Sequence, residues 1–106
     1  LQVNPDTIEA QMQGGAIFGL TAALHGAITL KDGRVEQGNF DTYLPMRIDE
    51  VPVIETHIVQ SAEAPGGIGE TATAAVSAAV TNAIFAATGK RIRTLPIDPG
   101  FLKKEA

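Results

Sequence analysis

Ile8, Met12, Ala16 and Leu20 recur every four residues, and Ala23 with Leu24 continues the same face. That spacing predicts an amphipathic helix. Asn4 can cap it, and Pro5 loses no hydrogen bond at the first helical position. Asp6 and Glu9 suit the positive end of the helix dipole. The helix is predicted over about residues 5–24, stopping near Gly26. Gly14 and Gly15 interrupt it, and each glycine costs a helix interior about 1 kcal/mol relative to alanine. Either a neighbouring element packs closely there, or the backbone must approach a ligand.

The pattern then changes period. In "AITLKDGRVEQGNF", Asp32-Gly33 separates two alternating runs, a strong hairpin signal. Strands are predicted at 27–31 and 34–39, with Ile28 and Leu30 sharing one face and Val35 and Gln37 another. "DTYLPMRIDEVP" reads as an extended connection. "VIETHIVQS", residues 53–61, alternates and is rich in β-branched residues, so a third strand is predicted. After the loop "AEAPGG", a second helix is predicted from about Thr71, a capping residue that leaves Glu70 just outside. Ala72, Val76, Val80 and Ile84 step by four, and Ala75, Ala79 and Ala83 widen the stripe. Thr73, Ser77, Thr81 and Asn82 fall on the outer side, almost without charge. Gly89 is the expected stop, with Lys90 and Arg91 at the negative end of the dipole. Pro96 and Pro99 predict an extended last stretch.

The order helix, hairpin, strand, helix is that of an α+β piece. It has a small antiparallel sheet, the hairpin plus a third strand, packed with two helices on one face. Residues 1–106 form a single domain or a fragment of one. This is modest cover for so uncharged a second helix, so other polypeptide is expected to wrap it.

Composition narrows the function classes. The 106 residues are 44% hydrophobic, enough for a core rather than disorder. No apolar run reaches the ~18 residues that span a bilayer, so no membrane span is expected. "LQVNPDTIEA" lacks the basic and apolar regions of a signal peptide, although a chain that does not begin with Met leaves a processed start open. The net charge of −4 and the lone basic cluster "GKRIR" argue against nucleic-acid binding. With no cysteine, the chain can hold no disulfide, Cys-ligated zinc or iron–sulfur cluster. His25 and His57 show no metal-ligand spacing, and no metal ligand is assigned.

One short stretch carries chemistry. "EAPGGIGETATAAV" sets Gly66, Gly67 and Gly69 before one carboxylate, Glu70, at the mouth of the second helix. Glycines permit positive φ and admit a bulky ligand beside the backbone. Helix amides favour an ionised carboxylate and burial opposes it, so Glu70 could serve as a general base. It could equally do no more than offset the helix dipole, worth about 0.3–1 kcal/mol. Nothing else supplies a Ser/His/Asp set or paired carboxylates.

Three stretches, "NPDTIEAQMQGGAIFGLTAAL", "KDGRVEQGNFDTYLPMRIDEVP" and "GGIGETATAAVSAAVTNAIFAATGKRIRTLPI", together resemble a known family. They look like the C-terminal end of the large molybdopterin-binding subunit of the xanthine dehydrogenase/aldehyde oxidase family. The likeness is nearest to its isoquinoline 1-oxidoreductase and bacterial aldehyde dehydrogenase branch. It runs from about Val3 to Ile97, and the "GIGE" turn is its most diagnostic part. It implies a molybdenum hydroxylase that oxidises an aromatic N-heterocycle or aldehyde with oxygen from water. It also implies that Glu70 is the catalytic base, and that Gln11, Gly67 and Gly69 lie against the molybdenum–molybdopterin cofactor. The implied partners are the remainder of the large subunit, a small [2Fe-2S] subunit and a small-molecule substrate. Iron–sulfur clusters, and FAD or haem in some members, would sit on partner subunits.

The family's large subunit is many times longer than this chain. The resemblance therefore implies an isolated fragment or one piece of a split enzyme, inactive alone. A non-catalytic folding or interaction module is the alternative. An anion-binding helix start is weaker, because Glu70 occupies the anion's place and the loop has no Lys or Arg. Relatives of this kind occur in the cytoplasm and the periplasm, so the compartment stays open, as does the substrate.

Overall fold

The structure, a computed structural model, describes residues 1–103. Helix α1 spans Pro5–His25 and helix α2 spans Thr71–Thr88. Between them lie strands β1 (Leu30–Lys31) and β2 (Arg34–Val35) and a 3-10 turn at Phe40–Thr42, and a short helix α3 (Pro99–Leu102) follows. The architecture is α+β, with a small antiparallel sheet and helices.

The capping residues act as their chemistry dictates. Asn4 Oδ1 accepts from Thr7 N at 3.1 Å at the head of α1, where Pro5 sits in the first turn. Gly26 N donates to Ala22 O at 3.1 Å and closes the helix. Gly89 ends α2 in the left-handed conformation, φ 71°, that glycine adopts without penalty. Thr71 is the first residue of α2 rather than its cap, and Glu70 holds the cap position without a side-chain cap bond.

The two long helices pack on each other, and glycine sets how closely. A Cβ on Gly15 would meet Ala72 Cβ at 3.2 Å and Thr73 Oγ1 at 3.3 Å. A Cβ on Gly19 would collide with Val76 Cγ1 and stand 2.7 Å from Thr73 O. Contacts advance in the same sense along both helices, Gly15 with Ala72 and Gly19 with Val76, so α1 and α2 run side by side in the same direction. Residues 26–70 carry the chain back to make that possible. Gly19, Leu20, Thr21 and Ala23 are buried, and Ile97 docks on them, its N–H donating to Ala23 O at 2.8 Å. Thr21 Oγ1 donates to Ile17 O at 3.0 Å and accepts from Met46 N at 3.1 Å, which ties the long connection to α1.

Several expectations from the sequence are corrected. The hairpin turn forms, with Asp32 at φ 50° and Gly33 at φ 75°, as a type I′ turn demands. Its strands are only two residues each, in the register Leu30↔Val35 and Lys31↔Arg34. One further bond, Glu36 N to Thr29 O at 3.0 Å, extends the pairing before the chain turns at Asn39. Residues 53–61 form no third strand: they run unpaired, with Val53 and Val59 almost fully exposed. Their β-branched side chains favour an extended backbone, but a strand also needs a partner edge, and the two-stranded sheet does not reach them. All four strand residues are exposed, so the sheet does not pack under the helices as expected. The last stretch is not wholly extended: Asp98 Oδ1 accepts from Gly100 N at 2.8 Å and caps α3.

Helix α2 covers the expected stripe of Ala72, Val76, Val80 and Ile84, but the stripe widens on the opposite side from the expected one. Ala72, Thr73, Val76, Ser77, Val80, Thr81 and Ile84 are the partly covered positions, while Ala74, Ala75, Ala78, Ala79 and Ala83 are exposed. Thr73 explains the choice, because its hydroxyl donates to Gly15 O at 3.0 Å across the helix pair. By length and composition α2 is long and apolar enough to cross a membrane, contrary to the count of uninterrupted apolar residues, and none of it is buried. Two of the three "GKRIR" cations engage the chain, while Arg91 and Arg93 remain exposed to solvent. Lys90 Nζ donates to Phe101 O and Lys103 O, each at 2.8 Å, and the Arg91 guanidinium lies 3.5 Å from the Phe85 ring centre.

The chain leaves much surface open. Its radius of gyration is 17.0 Å, against about 13 Å for a compact domain of this length. It exposes 8383 Å², against about 5,700 Å² for a compact protein of its mass.

Gly19→Ala places a methyl group where Val76 and the Thr73 carbonyl already stand. It is expected to destabilise by about 1–3 kcal/mol despite its better helix propensity. Urea unfolding of the purified protein checks this.

Candidate functional site: a carboxylate cleft beside the helix crossing

The parallel register has a local consequence. One turn before the glycine contact, α1 presents Gln11, and Glu70 holds the cap position of α2. A cleft of about 490 Å³ lies between them there. Gln11, Gly14, Gly15 and Phe18 line it from α1, and Gly69, Glu70, Thr73 and Ala74 line it from the start of α2. Three of the four residues singled out from the sequence, Gln11, Gly69 and Glu70, thus share one cavity. They are distant in the chain and meet only through the helix pair.

Gly67 does not line this cavity. It faces a second cleft of about 580 Å³ between the entry to α1 and the loop, with Val3, Ile8, Val59 and Ile68 among its walls. The loop therefore separates two cavities, with Gly67 on one side and Gly69 on the other.

The loop glycines also differ from expectation in conformation. Among the described residues only Gly33 and Gly89 are glycines with positive φ, so Gly66, Gly67 and Gly69 need no left-handed backbone. A Cβ on any of the three would meet nothing within 4 Å. Neither turn geometry nor packing inside the chain calls for glycine at these positions. What they provide is bare backbone with free space beside it.

Glu70 has φ −115° and ψ −9°, and its carbonyl accepts from Ala74 N at 3.2 Å, which fixes its backbone to the first turn of α2. Its carboxylate makes no cap bond, and among the described residues no cation pairs with it. The side chain is exposed and unengaged. Among the described residues no group of three His, Cys, Asp or Glu is placed to hold a metal ion. His25 Nε2 lies 3.8 Å from Glu50 Oε1, and His57 Nε2 lies 3.8 Å from Glu55 Oε2, both away from the cleft.

The sequence analysis did not single out Phe18 or Thr73 for the site. Their signal was present: Gln11, Gly14 and Phe18 stand three and four residues apart, the spacing of one helix face. Thr73 falls on the outer side of the predicted stripe, and only the register of α2 turns it toward α1.

The cleft sets one amide and one carboxylate beside uncovered backbone and the Phe18 ring. A family model, the molybdopterin cofactor-binding domain, matches residues 2–52, which hold α1 and the hairpin. Over 97 residues the chain is 38% identical to the membrane-bound aldehyde dehydrogenase [pyrroloquinoline-quinone] of Gluconacetobacter polyoxogenes, covering 92% of this chain and 12% of that protein. It is 35% identical to isoquinoline 1-oxidoreductase subunit beta of Brevundimonas diminuta over 95 residues, 90% of this chain and 12% of that one. It is 34% identical to a xanthine dehydrogenase molybdenum-binding subunit of Escherichia coli over 110 residues, 97% of this chain and 15% of that one. The chain belongs to the molybdopterin-binding subunits of the xanthine dehydrogenase family. It spans only 12% to 15% of the length of these relatives. The alignments that cover 92% and 97% of the chain include both Gln11 and Glu70.

Thr73→Val keeps the shape of the side chain and removes the hydroxyl that reaches Gly15 O. The expected loss is about 0.5–1.5 kcal/mol in stability, with Thr73→Ser close to the parent. Paired thermal melts of the two variants check it.

Proposed function

We propose that this chain forms one wall of the cofactor cavity of a molybdenum hydroxylase acting on an aldehyde or an aromatic N-heterocycle, with oxygen drawn from water. The observation that carries the proposal is the cleft where Glu70, unpaired and uncapped, stands with Gln11 and Gly69. The residues fit part of a molybdopterin group. The Gln11 amide can donate to and accept from a polar ring edge, and Gly69 allows close approach of the backbone. No Lys or Arg lines the cleft, so a phosphate end would be held elsewhere. The molybdenum cofactor, when bound, supplies a two-electron acceptor and the site of oxygen transfer.

Glu70 is the base of this reaction. Its carboxylate stands at the start of α2, held by the backbone and not spent on a cap bond or an ion pair. It takes a proton at a carboxylate oxygen as the oxygen nucleophile attacks the substrate carbon. Gln11 orients the cofactor, and Gly67 borders the same loop from its other side. The remainder of the molybdopterin-binding subunit closes the cavity, and the chain alone turns over nothing. A small [2Fe-2S] subunit, with FAD or haem in some assemblies, carries electrons away. The relatives named as subunits of larger enzymes support such partners.

A second reading has its own support. The open surface and the exposed alanine face of α2 also suit a non-catalytic folding or interaction module. Expression of the chain alone separates the two: stable binding to another protein, with no molybdenum in the complex, favours the module.

In the assembled enzyme, Glu70→Gln keeps the size of the side chain and removes its basicity. Turnover should fall by about 10²- to 10⁴-fold while molybdenum content stays near that of the parent. Steady-state kinetics with metal analysis checks this, and near-parental turnover sinks the assignment. Gln11→Ala should lower retained molybdopterin by about 2- to 10-fold, the worth of one hydrogen bond, read from the pterin released per polypeptide.

A further inference from the structure

Helix α1 turns Gln11, Gly14 and Phe18 toward the Glu70 cleft. An amide stands at one end of this face, an aromatic ring at the other, and uncovered backbone between them. The glycines of α1 do not share one cause. Gly15 and Gly19 are required by α2, as the contacts of a Cβ at each position make plain. Gly14 is not: a Cβ there meets nothing within 4 Å, and its φ is not positive. It weakens the helix with no return from packing inside the chain. Phe18, an apolar side chain, is 61% exposed along the same wall.

We propose that Gly14 and Phe18 form the seat of a planar heteroaromatic ring. The ring lies over the uncovered Gly14 backbone, presents a polar edge to the Gln11 amide, and rests against the Phe18 ring by offset or edge-to-face contact. A Cβ at position 14 would lift it off the helix. This deepens the assignment of the Glu70 cleft as a cofactor cavity and rests on it. Two rings have the required chemistry, the pterin of the cofactor and an N-heterocyclic or aryl substrate, and they are separable by experiment.

The test uses the full-length enzyme with Gly14→Ala, Gly14→Met and Phe18→Leu. Alanine and methionine are good helix formers, so melting temperatures at or above that of the parent are expected for the Gly14 pair. If the ring is the pterin, pterin released per polypeptide falls at least tenfold in Gly14→Met and less in Gly14→Ala. If it is the substrate, pterin content holds and KM rises at least tenfold, measured with whichever of isoquinoline and benzaldehyde the parent enzyme oxidises. Phe18→Leu moves the same quantity three- to tenfold. Parental pterin content and KM in both Gly14 variants overturn the proposal. So does a lowered melting temperature in Gly14→Ala, because neighbouring polypeptide then covers Gly14. Failure of the Glu70 assignment looks different: Glu70→Gln keeps full turnover, while the Gly14 variants still shift pterin content or KM.

Discussion

The close approach of α1 and α2 at Gly15 and Gly19 is the constraint on which the remaining structure depends. Two helices can come this near only where one of them lacks side chains. At Gly19 even a methyl group would overlap Val76, so the distance between the helices is fixed by backbone rather than by adjustable side chains. Thr73 adds direction by donating to the Gly15 carbonyl. Distance and register together bring the start of α2 beside the middle of α1. The cleft lies at the N-terminal edge of that contact, with Gly15 and Thr73 themselves in its wall. Its contents follow from that geometry.

The same constraint decides which surface stays open. Because Thr73, Ser77 and Thr81 turn toward α1, Ala74, Ala75, Ala78, Ala79 and Ala83 turn outward. An uncharged helix that shows alanine to solvent has gained little from burial within its own chain. Its length and composition would also suit a bilayer, but its Thr73 bond to Gly15 and the close approach of Ala72 and Val76 to the glycines of α1 give it a protein neighbour. The surface area, roughly half as much again as a compact chain exposes, is what a cavity wall needs if other polypeptide completes the enclosure. Relatives some eight times longer agree with that arrangement.

The loop before Glu70 shows where local rules stop. Glycine at 66, 67 and 69 suggested a tight left-handed turn, and the backbone does not use one. None of the three is crowded from within the chain either. Their common property is uncovered main chain on both sides of a loop that separates two clefts. Any demand for glycine there comes from something beside the loop, and the chain itself gives no reason to have it. Gly14 stands in the same position on α1. In each case the useful observation was a space that nothing inside the chain fills.

Sequence alone determined the elements whose causes are local. Asn4-Pro5 and Gly26 bound α1, Asp32-Gly33 turns the hairpin, and Gly89 ends α2, because caps and turns depend on a few adjacent residues. The family resemblance was also legible, since motif order survives without coordinates. Tertiary structure decided whatever depends on a distant partner. Residues 53–61 had the pattern of a strand but no edge to join. The stripe of α2 on Ala72, Val76, Val80 and Ile84 was legible, but it was widened toward Ala75, Ala79 and Ala83, whereas Thr73, which donates to the Gly15 carbonyl, widens it on the other side. Gly14 and Gly15 were indistinguishable as neighbours in sequence, and only the helix pair separated the one that packs from the one left bare. Glu70 and Gln11 met for the same reason: two glycines in α1 let α2 approach in parallel, and no periodicity along the chain encodes that distance.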